Sequence, residues 1–258
     1  MPVSAAVQAT DLVLAYGPAV AVDRSSFTIP AGRVTAVIGP NGSGKSTVLH
    51  AIAGLLAPVA GTLEVAARSN GSRRIAYVVQ STKTSDALPV TVREVVTMGR
   101  YAARRRLTGE DRARVDEALE RVGLTALAAR HLSDLSGGQR QRVFVAQGLA
   151  QDHDLLLLDE PLTGIDLPTA RAIDRVIHDE LARGCTIVLT THDLSEASVA
   201  DHVVLMAGRV VASGRPDEVL TPEYLAAAYG SSLLHVEEGK VFFDDPAHKV
   251  TPPDSQLG

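Results

Sequence analysis

A glycine-rich loop between a buried strand and a helix constrains this chain more than any other feature. The apolar run Val34–Ile38 predicts a strand covered on both faces, and residues 47–56 have the apolar spacing of a helix. Between them the sequence GPNGSGKS, residues 39–46, fits the pattern G-x-x-x-x-G-K-[ST]. A strand, this loop and a helix in that order predict an α/β domain with a phosphate-binding loop at the carboxyl end of the strand.

The residue types in this loop suit a nucleoside triphosphate. Small residues let backbone N–H groups close around phosphate oxygens, because side chains would hold the backbone away. Lys45 brings a positive charge to the β and γ phosphates, and Ser46 offers a hydroxyl group to Mg²⁺. A glycine-rich turn without a ligand is the alternative, but it does not account for the strand before and the helix after. The predicted contact residues are Gly39, Asn41, Gly42, Ser43, Gly44, Lys45, Ser46 and Thr47.

Two acidic residues follow a second apolar run. Leu155–Leu158 predicts another buried strand, and Asp159 and Glu160 come directly after it. At the carboxyl end of such a strand, Asp159 is placed to hold the metal through water, and Glu160 to accept a proton from the attacking water. Four apolar residues and two acids often mark only a strand end. Together with the phosphate loop, however, the pair indicates hydrolysis.

The order of the predicted elements divides the chain into a core and a helical insertion. Short strand patterns occur at residues 12–16, 26–29 and 34–38 and return at residues 155–158, 186–190 and 203–206. Their alternation with helical stretches indicates a mostly parallel sheet flanked by helices. Residues 81–151 have helical spacing and little strand pattern. We therefore predict a nucleotide-binding core of residues 1–80 and 152–230, a helical subdomain of residues 81–151 inserted into it, and a partly flexible C-terminal extension of residues 231–258.

The sequence LSGGQ, residues 135–139, resembles the signature loop of the ATP-binding cassette (ABC) ATPases. Ser136 can cap the helix that begins near Gln139, while Gly137 and Gly138 let backbone N–H groups approach a γ phosphate. The resemblance implies a P-loop NTPase (RecA-like) α/β core with an antiparallel β subdomain and an inserted helical subdomain, binding ATP and Mg²⁺. It also implies a dimer in which each signature loop completes the site of the other copy. A plain helix N-cap would explain Ser136 but not the whole pentapeptide.

Four further residues take roles through the same resemblance. Tyr16 is similar to the aromatic residue that stacks on adenine, although a partly buried strand tyrosine is an alternative. Gln80 resembles the glutamine that joins core and insertion and contacts Mg²⁺ and the attacking water. Asp166 ends the segment TGID, residues 163–166, which resembles the loop that crosses the dimer interface. His192 resembles the switch histidine at the γ phosphate. The implied catalytic set is Glu160, His192, Gln80 and Lys45, and the implied metal-binding set is Ser46, Gln80 and Asp159.

Charge and hydropathy limit the partners. A net charge of -5, from 30 acidic and 25 basic residues, argues against a nucleic-acid partner. No apolar run approaches the ~18 residues of a membrane helix, so membrane association would come through a partner. The single cysteine, Cys185, can form no internal disulfide, which fits a reducing compartment. We expect a cytoplasmic protein held peripherally at the cell membrane by integral membrane permease subunits.

Residues 89–101, PVTVREVVTMGRY, resemble the ATPase subunits of zinc and manganese importers and of the neighbouring iron-chelate and cobalamin importers. Residues 136–150 and the TGID segment favour the zinc and manganese group. The implied partners are a second copy of the chain, the permease and an extracytoplasmic substrate-binding protein. An iron-siderophore, haem or cobalamin importer, an exporter, and a soluble ABC ATPase of repair or translation remain alternatives. The long coiled-coil insertion of repair members and the second cassette of translation members are not present in the sequence.

Overall fold

The computed structural model describes residues 4–66, 74–79, 89–101, 106–230, 234–237 and 240–243. The strands are Ala5–Tyr16 (β1), Ala19–Pro30 (β2), Val34–Ile38 (β3), Ala60–Val65 (β4), Ile75–Val78 (β5), Leu155–Leu158 (β6), Thr186–Thr191 (β7), His202–Met206 (β8), Val210–Gly214 (β9), Leu234–Glu237 (β10) and Lys240–Phe243 (β11). The helices are Lys45–Ile52 (α1), Val92–Tyr101 (α2), Gly109–Arg121 (α3), Gly137–Leu149 (α4), Leu167–Ala182 (α5), Leu194–Ser198 (α6), Pro216–Val219 (α7) and Pro222–Tyr229 (α8).

The centre of the protein is a six-stranded sheet with the order β5-β6-β7-β3-β8-β9. Its first five strands are parallel, and only β9 runs antiparallel to its neighbour β8. Because parallel strands end at the same edge, the loops after β3, β6 and β7 lie beside one another. The expected mostly parallel α/β sheet is confirmed, and this edge carries the phosphate loop, the pair Asp159 and Glu160, and His192.

The central sheet separates two hydrophobic cores. Leu155 and Leu157 point into the core shared with the antiparallel sheet and α1, whereas Leu156 and Leu158 point into the core shared with the other helices. All four side chains of β6 are buried. A strand covered on both faces has an uninterrupted apolar sequence, so this run could be recognised directly from the sequence.

A second sheet, with the order β2-β1-β4, is antiparallel, as the ABC resemblance implies. Its two long strands extend beyond the segments at residues 12–16 and 26–29 that the sequence pattern indicates. The pairing of β1 is irregular between Ala9 and Leu12, where Asp11 has a left-handed backbone (φ 49°). This irregularity interrupts the alternation of apolar and polar residues, so only the second half of β1 has a recognisable strand pattern.

The described residues between β5 and β6 contain the helices α2, α3 and α4. Gly99 lets α2 approach α4 closely, since a Cβ atom there would lie 2.3 Å from the carbonyl oxygen of Gln147. Buried Arg100 donates from Nε and Nη2 to Asp111 Oδ1 at 2.9 and 2.8 Å, and from Nη1 to the carbonyl of Ala150 at 2.8 Å. One guanidinium group therefore ties the three helices together.

The domain boundaries stay a prediction, because residues 81–88 lie outside the described ranges. In the predicted C-terminal extension, β10 and β11 form an antiparallel pair. The expectation of a flexible end falls on residues outside the described ranges. Among the helices that the structure describes, none has the length and apolar character needed to cross a bilayer.

Candidate functional site

The phosphate loop joins β3 to α1, and its glycines are required by close backbone contacts. A Cβ atom on Gly39 would lie 2.2 Å from the carbonyl oxygen of Met206. Gly44 has φ 97°, and a Cβ atom there would lie 2.6 Å from Val22 Cγ2. Any other residue at either position would displace the loop, which explains the residue types that the sequence shows.

The phosphate loop contains polar groups that could bind an anion. Ser43 Oγ is buried and has no hydrogen-bond partner within the described part of the chain. The N-cap of α1, Gly44, supplies no side-chain hydrogen bond to the first-turn N–H groups. Buried donors without partners are costly, and a helix N-terminus carries partial positive charge. Both observations fit a bound phosphate group.

Lys45 is folded across this loop. Its Nζ atom donates to the carbonyl oxygens of Gly39 at 2.8 Å and Pro40 at 3.1 Å, and the residue is buried. Burial lowers the pKa of Lys45, although the negative charges of Glu160 and Asp159 partly oppose this effect. The ammonium group is thus held at the centre of the site, next to both acidic residues predicted to act there.

Asp159 is the point where three elements meet. Its carboxylate accepts hydrogen bonds from Ser46 Oγ at 3.0 Å, from Thr190 Oγ1 at 2.7 Å and from the hydroxyl group of Tyr77 at 3.1 Å. The residue is 3% exposed. Ser46 and Asp159 therefore place two adjacent oxygen ligands at the loop, and oxygen ligands are what Mg²⁺ prefers. The residues present fit a magnesium ion.

Glu160 has an unusual backbone conformation. Its φ is 46°, in the left-handed region that L-residues seldom adopt. The backbone N–H donates to Thr190 Oγ1 at 2.8 Å. A hydroxyl group has one donor and two acceptor positions, so Thr190 serves Asp159 and Glu160 at the same time. Thr190 is fully buried and fixes the two acidic residues relative to each other.

The signature loop forms the N-terminus of α4. Ser136 Oγ accepts from the backbone N–H of Gln139 at 3.3 Å, and Gln139 Oε1 accepts from the backbone N–H of Ser136 at 3.0 Å. This is a capping box, and it starts the helix at Gly137, earlier than the sequence indicates. Ser136 is exposed at the N-terminus of α4, next to the N–H groups of the first helical turn. Such a helix N-terminus is a suitable position for binding an anion.

Asp166 and the signature loop are neighbours. Asp166 caps α5 by accepting from the backbone N–H of Thr169 at 3.0 Å, and hydrogen bonds from Thr169 lower the pKa of its carboxyl group. A Cβ atom on Gly138 would lie 2.6 Å from Thr169 Oγ1 and 3.3 Å from Asp166 Oδ1. The signature loop thus packs on the start of α5, whereas the phosphate loop packs on Val22 and Met206.

The other residues predicted from the sequence differ in their exposure and position. Tyr16 is 49% exposed, and its hydroxyl group bonds with His50 Nδ1 at 2.8 Å, so part of its ring is open to solvent. His192 is exposed and directly follows β7, at the same edge as Glu160. Asn41 and Gly42 are exposed on the phosphate loop, and Thr47 is buried in α1. Gln80 lies outside the described residues.

Three residues that the sequence analysis did not identify are part of the site: Thr190, Tyr77 and His50. The ring of His50 packs edge-on against that of Tyr77, with centroids 5.6 Å apart. Hydrogen bonds and this ring contact therefore connect Tyr16 to Asp159. Thr190 and Tyr77 lie within apolar strand segments, where only their position at the carboxyl ends of β7 and β5 could have indicated a role.

Comparisons with known proteins agree with this geometry. The family described as "ABC transporter" matches residues 22–163, more than half of the chain. The zinc transport system ATP-binding protein TroB of Treponema pallidum is 42% identical over 88% of each chain. The chelated iron transport system membrane protein YfeB of Yersinia pestis is 40% identical over 87% of this chain and 79% of that one. The manganese transport system ATP-binding protein MntA of Synechocystis is 37% identical over 81% and 84%.

Among solved structures, an ABC transporter assigned to the metal-chelate type, in an inward-facing conformation, superposes with a TM-score of 0.77 and 28% identity. The match covers 93% of this chain and 96% of that one. The family match, the sequence relatives and the fold agree, so the chain belongs to the ABC transporter family, as one of its ATP-binding, ATP-hydrolysing subunits.

Proposed function

We propose that this ATPase powers the import of a divalent metal ion, zinc or manganese, through a membrane permease. The observation that carries the proposal is the similarity to zinc, manganese and chelated-iron transport subunits over 81–88% of this chain. The site geometry supports the energy-converting step, because it brings a phosphate loop, a metal-binding pair and an acidic residue to one sheet edge.

In the proposed mechanism, different residues bind the phosphates, hold the metal ion and activate the water. Lys45 and the N–H groups of the phosphate loop bind the phosphates, and Ser46 and Asp159 are the residues that would hold Mg²⁺. When bound, Mg²⁺ supplies positive charge at the β and γ phosphates. Glu160 accepts a proton from the attacking water, and His192 contacts the γ phosphate. Gln80, which lies outside the described residues, would contact the water and Mg²⁺. Tyr16 offers its exposed ring to adenine.

A head-to-tail dimer with two bound ATP molecules completes the site. Support comes from the two separate anion-binding positions of one chain: the phosphate loop beside Val22 and Met206, and the signature loop on the start of α5. In the dimer, Ser136, Gly137, Gly138 and Gln139 of one copy face the γ phosphate held by the other, with Asp166 at the interface. ATP then joins the two copies, and hydrolysis lets them separate.

Glu160→Gln tests this cycle. We expect the variant to bind ATP, to lose more than about 100-fold in turnover, and to elute with the mass of a dimer when ATP is present. Glu223→Gln is a matched control, since it neutralises an exposed carboxylate on α8. A Glu160→Gln protein that turns over ATP at the wild-type rate would remove Glu160 from the proposed role.

Mixing two inactive variants tests the head-to-tail arrangement. Lys45→Ala disables the phosphate loop, and Ser136→Arg blocks the signature loop, so each variant alone is expected to be inactive. Random mixing makes about half of the dimers mixed, and each mixed dimer has one intact composite site, so about one quarter of wild-type activity should return. Absence of any recovery in the mixture would contradict composite sites.

Docking on a permease is supported by exposed apolar side chains around the helical insertion. Val79, Met98 and Tyr101 are 40, 45 and 55% exposed, at the end of β5 and on α2. Met98 and Tyr101 are three residues apart on α2 and so lie on one face of that helix, and neighbouring exposed apolar groups are typical of a protein contact. We place the chain on the cytoplasmic face of the membrane through this contact, with an extracytoplasmic substrate-binding protein in the same complex.

Uptake measurements decide the transported substrate. In cells lacking this chain, uptake of radiolabelled zinc or manganese should fall, and the wild-type gene but not the Glu160→Gln variant should restore it. Loss of iron-chelate uptake alone would favour the second candidate, for which the 40% identity to the chelated-iron subunit is the supporting observation. Unchanged uptake of all three metals would overturn the assignment.

A further inference from the structure

A buried group of three metal-ligand side chains lies at the edge of the central sheet opposite the nucleotide site. His153 lies two residues before the start of β6, and Cys185 immediately precedes β7. Leu155 pairs with Thr186, so these two parallel strands begin side by side. Glu180, in the last turn of α5, is the third member, and the ligand atoms of the three residues all lie within 4.8 Å of one another.

We propose that His153, Glu180 and Cys185 form a binding site for a zinc-class divalent ion. Imidazole nitrogen, carboxylate oxygen and thiolate sulfur together are a ligand set that suits Zn²⁺. Bonds of about 2.0–2.3 Å in a tetrahedron place ligand atoms ~3.5 Å apart. His153 Nε2 and Glu180 Oε2 are already 3.0 Å apart, and Cys185 Sγ lies within 4.8 Å of both, so side-chain rotations would bring all three to one ion.

The ligands are held in orientation by their own partners. His153 Nδ1 bonds with the backbone carbonyl of Gln151 at 2.9 Å, which is the outer contact that metal-binding histidines usually make. Glu180 Oε1 accepts from Arg121 at 2.5 Å and from Arg183 at 3.4 Å. These contacts leave His153 Nε2 and Glu180 Oε2 facing each other. The two arginines bond to the other carboxylate oxygen, Oε1.

The site is buried yet reachable. The side chains of His153 and Glu180 are each 5% exposed, and Cys185 is likewise 5% exposed. All three line a cavity of about 210 Å³, whose wall carries charges of both signs: Asp152, Asp154, Arg74, Arg114 and Arg183. A cavity of this size admits an ion and a water molecule as the fourth ligand.

The charge balance of the buried group allows a divalent ion. His153 Nε2 and Glu180 Oε2 bond to each other at 3.0 Å in the metal-free structure. Metal ligands must be deprotonated, so an ion that binds here displaces protons from the imidazole and thiol groups, and its charge is balanced by the carboxylate and the thiolate.

Cobalt substitution tests the site directly, using the full chain without a histidine tag and without nucleotide. Wild-type protein should bind one equivalent of Co²⁺ with a thiolate-to-metal charge-transfer absorption, and Zn²⁺ should abolish that absorption. Cys185 is the only cysteine, so Cys185→Ser should remove the band completely. Absence of the band from the wild-type protein would overturn the proposal.

Calorimetric titration with Zn²⁺ gives an independent measurement. Loss of one direct ligand, in His153→Gln or Cys185→Ser, should weaken binding by more than about 100-fold, beyond what outer-shell partners contribute. The matched control is His178→Gln, which alters an exposed histidine on the same helix as Glu180. A second control, the pair His235→Gln and His248→Gln, removes two C-terminal histidines. Equal affinity in the ligand variants and the controls would overturn the proposal.

A protection assay on the unmodified chain covers the case in which a ligand variant fails to fold. Zn²⁺ should slow alkylation of the Cys185 thiol by at least about 10-fold, because a metal-bound thiolate is not free to react. Mg²⁺ at the same concentration should give no protection, since it binds sulfur poorly. Alkylation at the same rate with and without Zn²⁺ would contradict the site.

Discussion

Removal of the hydroxyl group of Thr190 should disturb both stability and turnover. This hydroxyl group donates to Asp159 Oδ1 at 2.7 Å and accepts from the backbone N–H of Glu160 at 2.8 Å. Thr190→Val removes both hydrogen bonds but keeps the β-branched shape that a buried strand position favours. The packing of β7 is therefore expected to stay intact.

The size of the effect follows from the two lost bonds. A hydrogen bond to a charged carboxylate contributes about 1.5–3 kcal/mol, and an unpaired buried N–H costs about 1–3 kcal/mol. Glu160 is only half-buried, so water partly replaces the second bond. We expect a loss of about 3 kcal/mol in the free energy of unfolding, or ~6–12 °C in the thermal midpoint. Turnover should fall at least ~10-fold, because the left-handed backbone at Glu160 loses its anchor.

Thr186→Val is the matched control for this experiment. Thr186 is buried at the other end of the same strand, where its hydroxyl group accepts from the backbone N–H of Gly32 at 2.9 Å. This variant should lose about 1 kcal/mol of stability and keep its turnover. Steady-state ATPase rates and thermal unfolding are measured on both proteins. If Thr190→Val keeps the turnover of Thr186→Val, Thr190 does not position the two acidic residues.

Three further variants test other parts of the structure. Gly44→Ala should weaken ATP binding at least ~10-fold in an equilibrium titration, because the added Cβ atom would clash with Val22 Cγ2. Gly54→Ala, at a φ of 77° and with no atom near the added Cβ atom, should leave ATP binding unchanged. Asp111→Asn should lose about 1.5–3 kcal/mol in denaturant unfolding, since the guanidinium group of Arg100 loses its buried carboxylate partner and keeps only Asp152 at 3.4 Å and the Ala150 carbonyl. Asp116→Asn, in an exposed pair, should lose under ~1 kcal/mol. In the metal-free protein the pKa of His153 is raised from 6.5 to about 10, so its protonation stabilises the fold fully below pH 6.5 and no longer does so above pH 10. Between these two pH values, the free energy of unfolding should fall less steeply in His153→Gln than in the wild type.

The parts of the fold that were predictable have local causes. Leu155–Leu158 is uninterrupted and apolar because both faces are covered, and the glycines of the phosphate loop are required by contacts and dihedral angles. The serine–glutamine spacing of the signature loop encodes a capping box. Each of these features leaves a pattern within a few consecutive residues, so the positions of Asp159, Lys45 and Ser136 could be inferred from the sequence.

The parts that were missed depend on contacts between distant segments. Thr190 and Tyr77 meet Asp159 across three neighbouring strands, and nothing in their own surroundings in the sequence distinguishes them from other strand residues. The start of β1 was missed for a related reason, because the irregular pairing at Asp11 breaks its alternation. Sheet order and register decide these contacts, and neither is encoded locally.

The left-handed backbone of Glu160 determines which replacements give interpretable inactive proteins. A β-branched residue at φ 46° would add strain of about 1–3 kcal/mol to the loss of the carboxylate. A low rate in such a protein would then have two causes that kinetics alone does not separate. Asparagine tolerates this conformation well but shortens the side chain, whereas glutamine keeps its length. The glutamine variant compared with the wild type reports the loss of charge, and the asparagine variant compared with the glutamine variant reports the loss of side-chain length, at the position proposed to activate water.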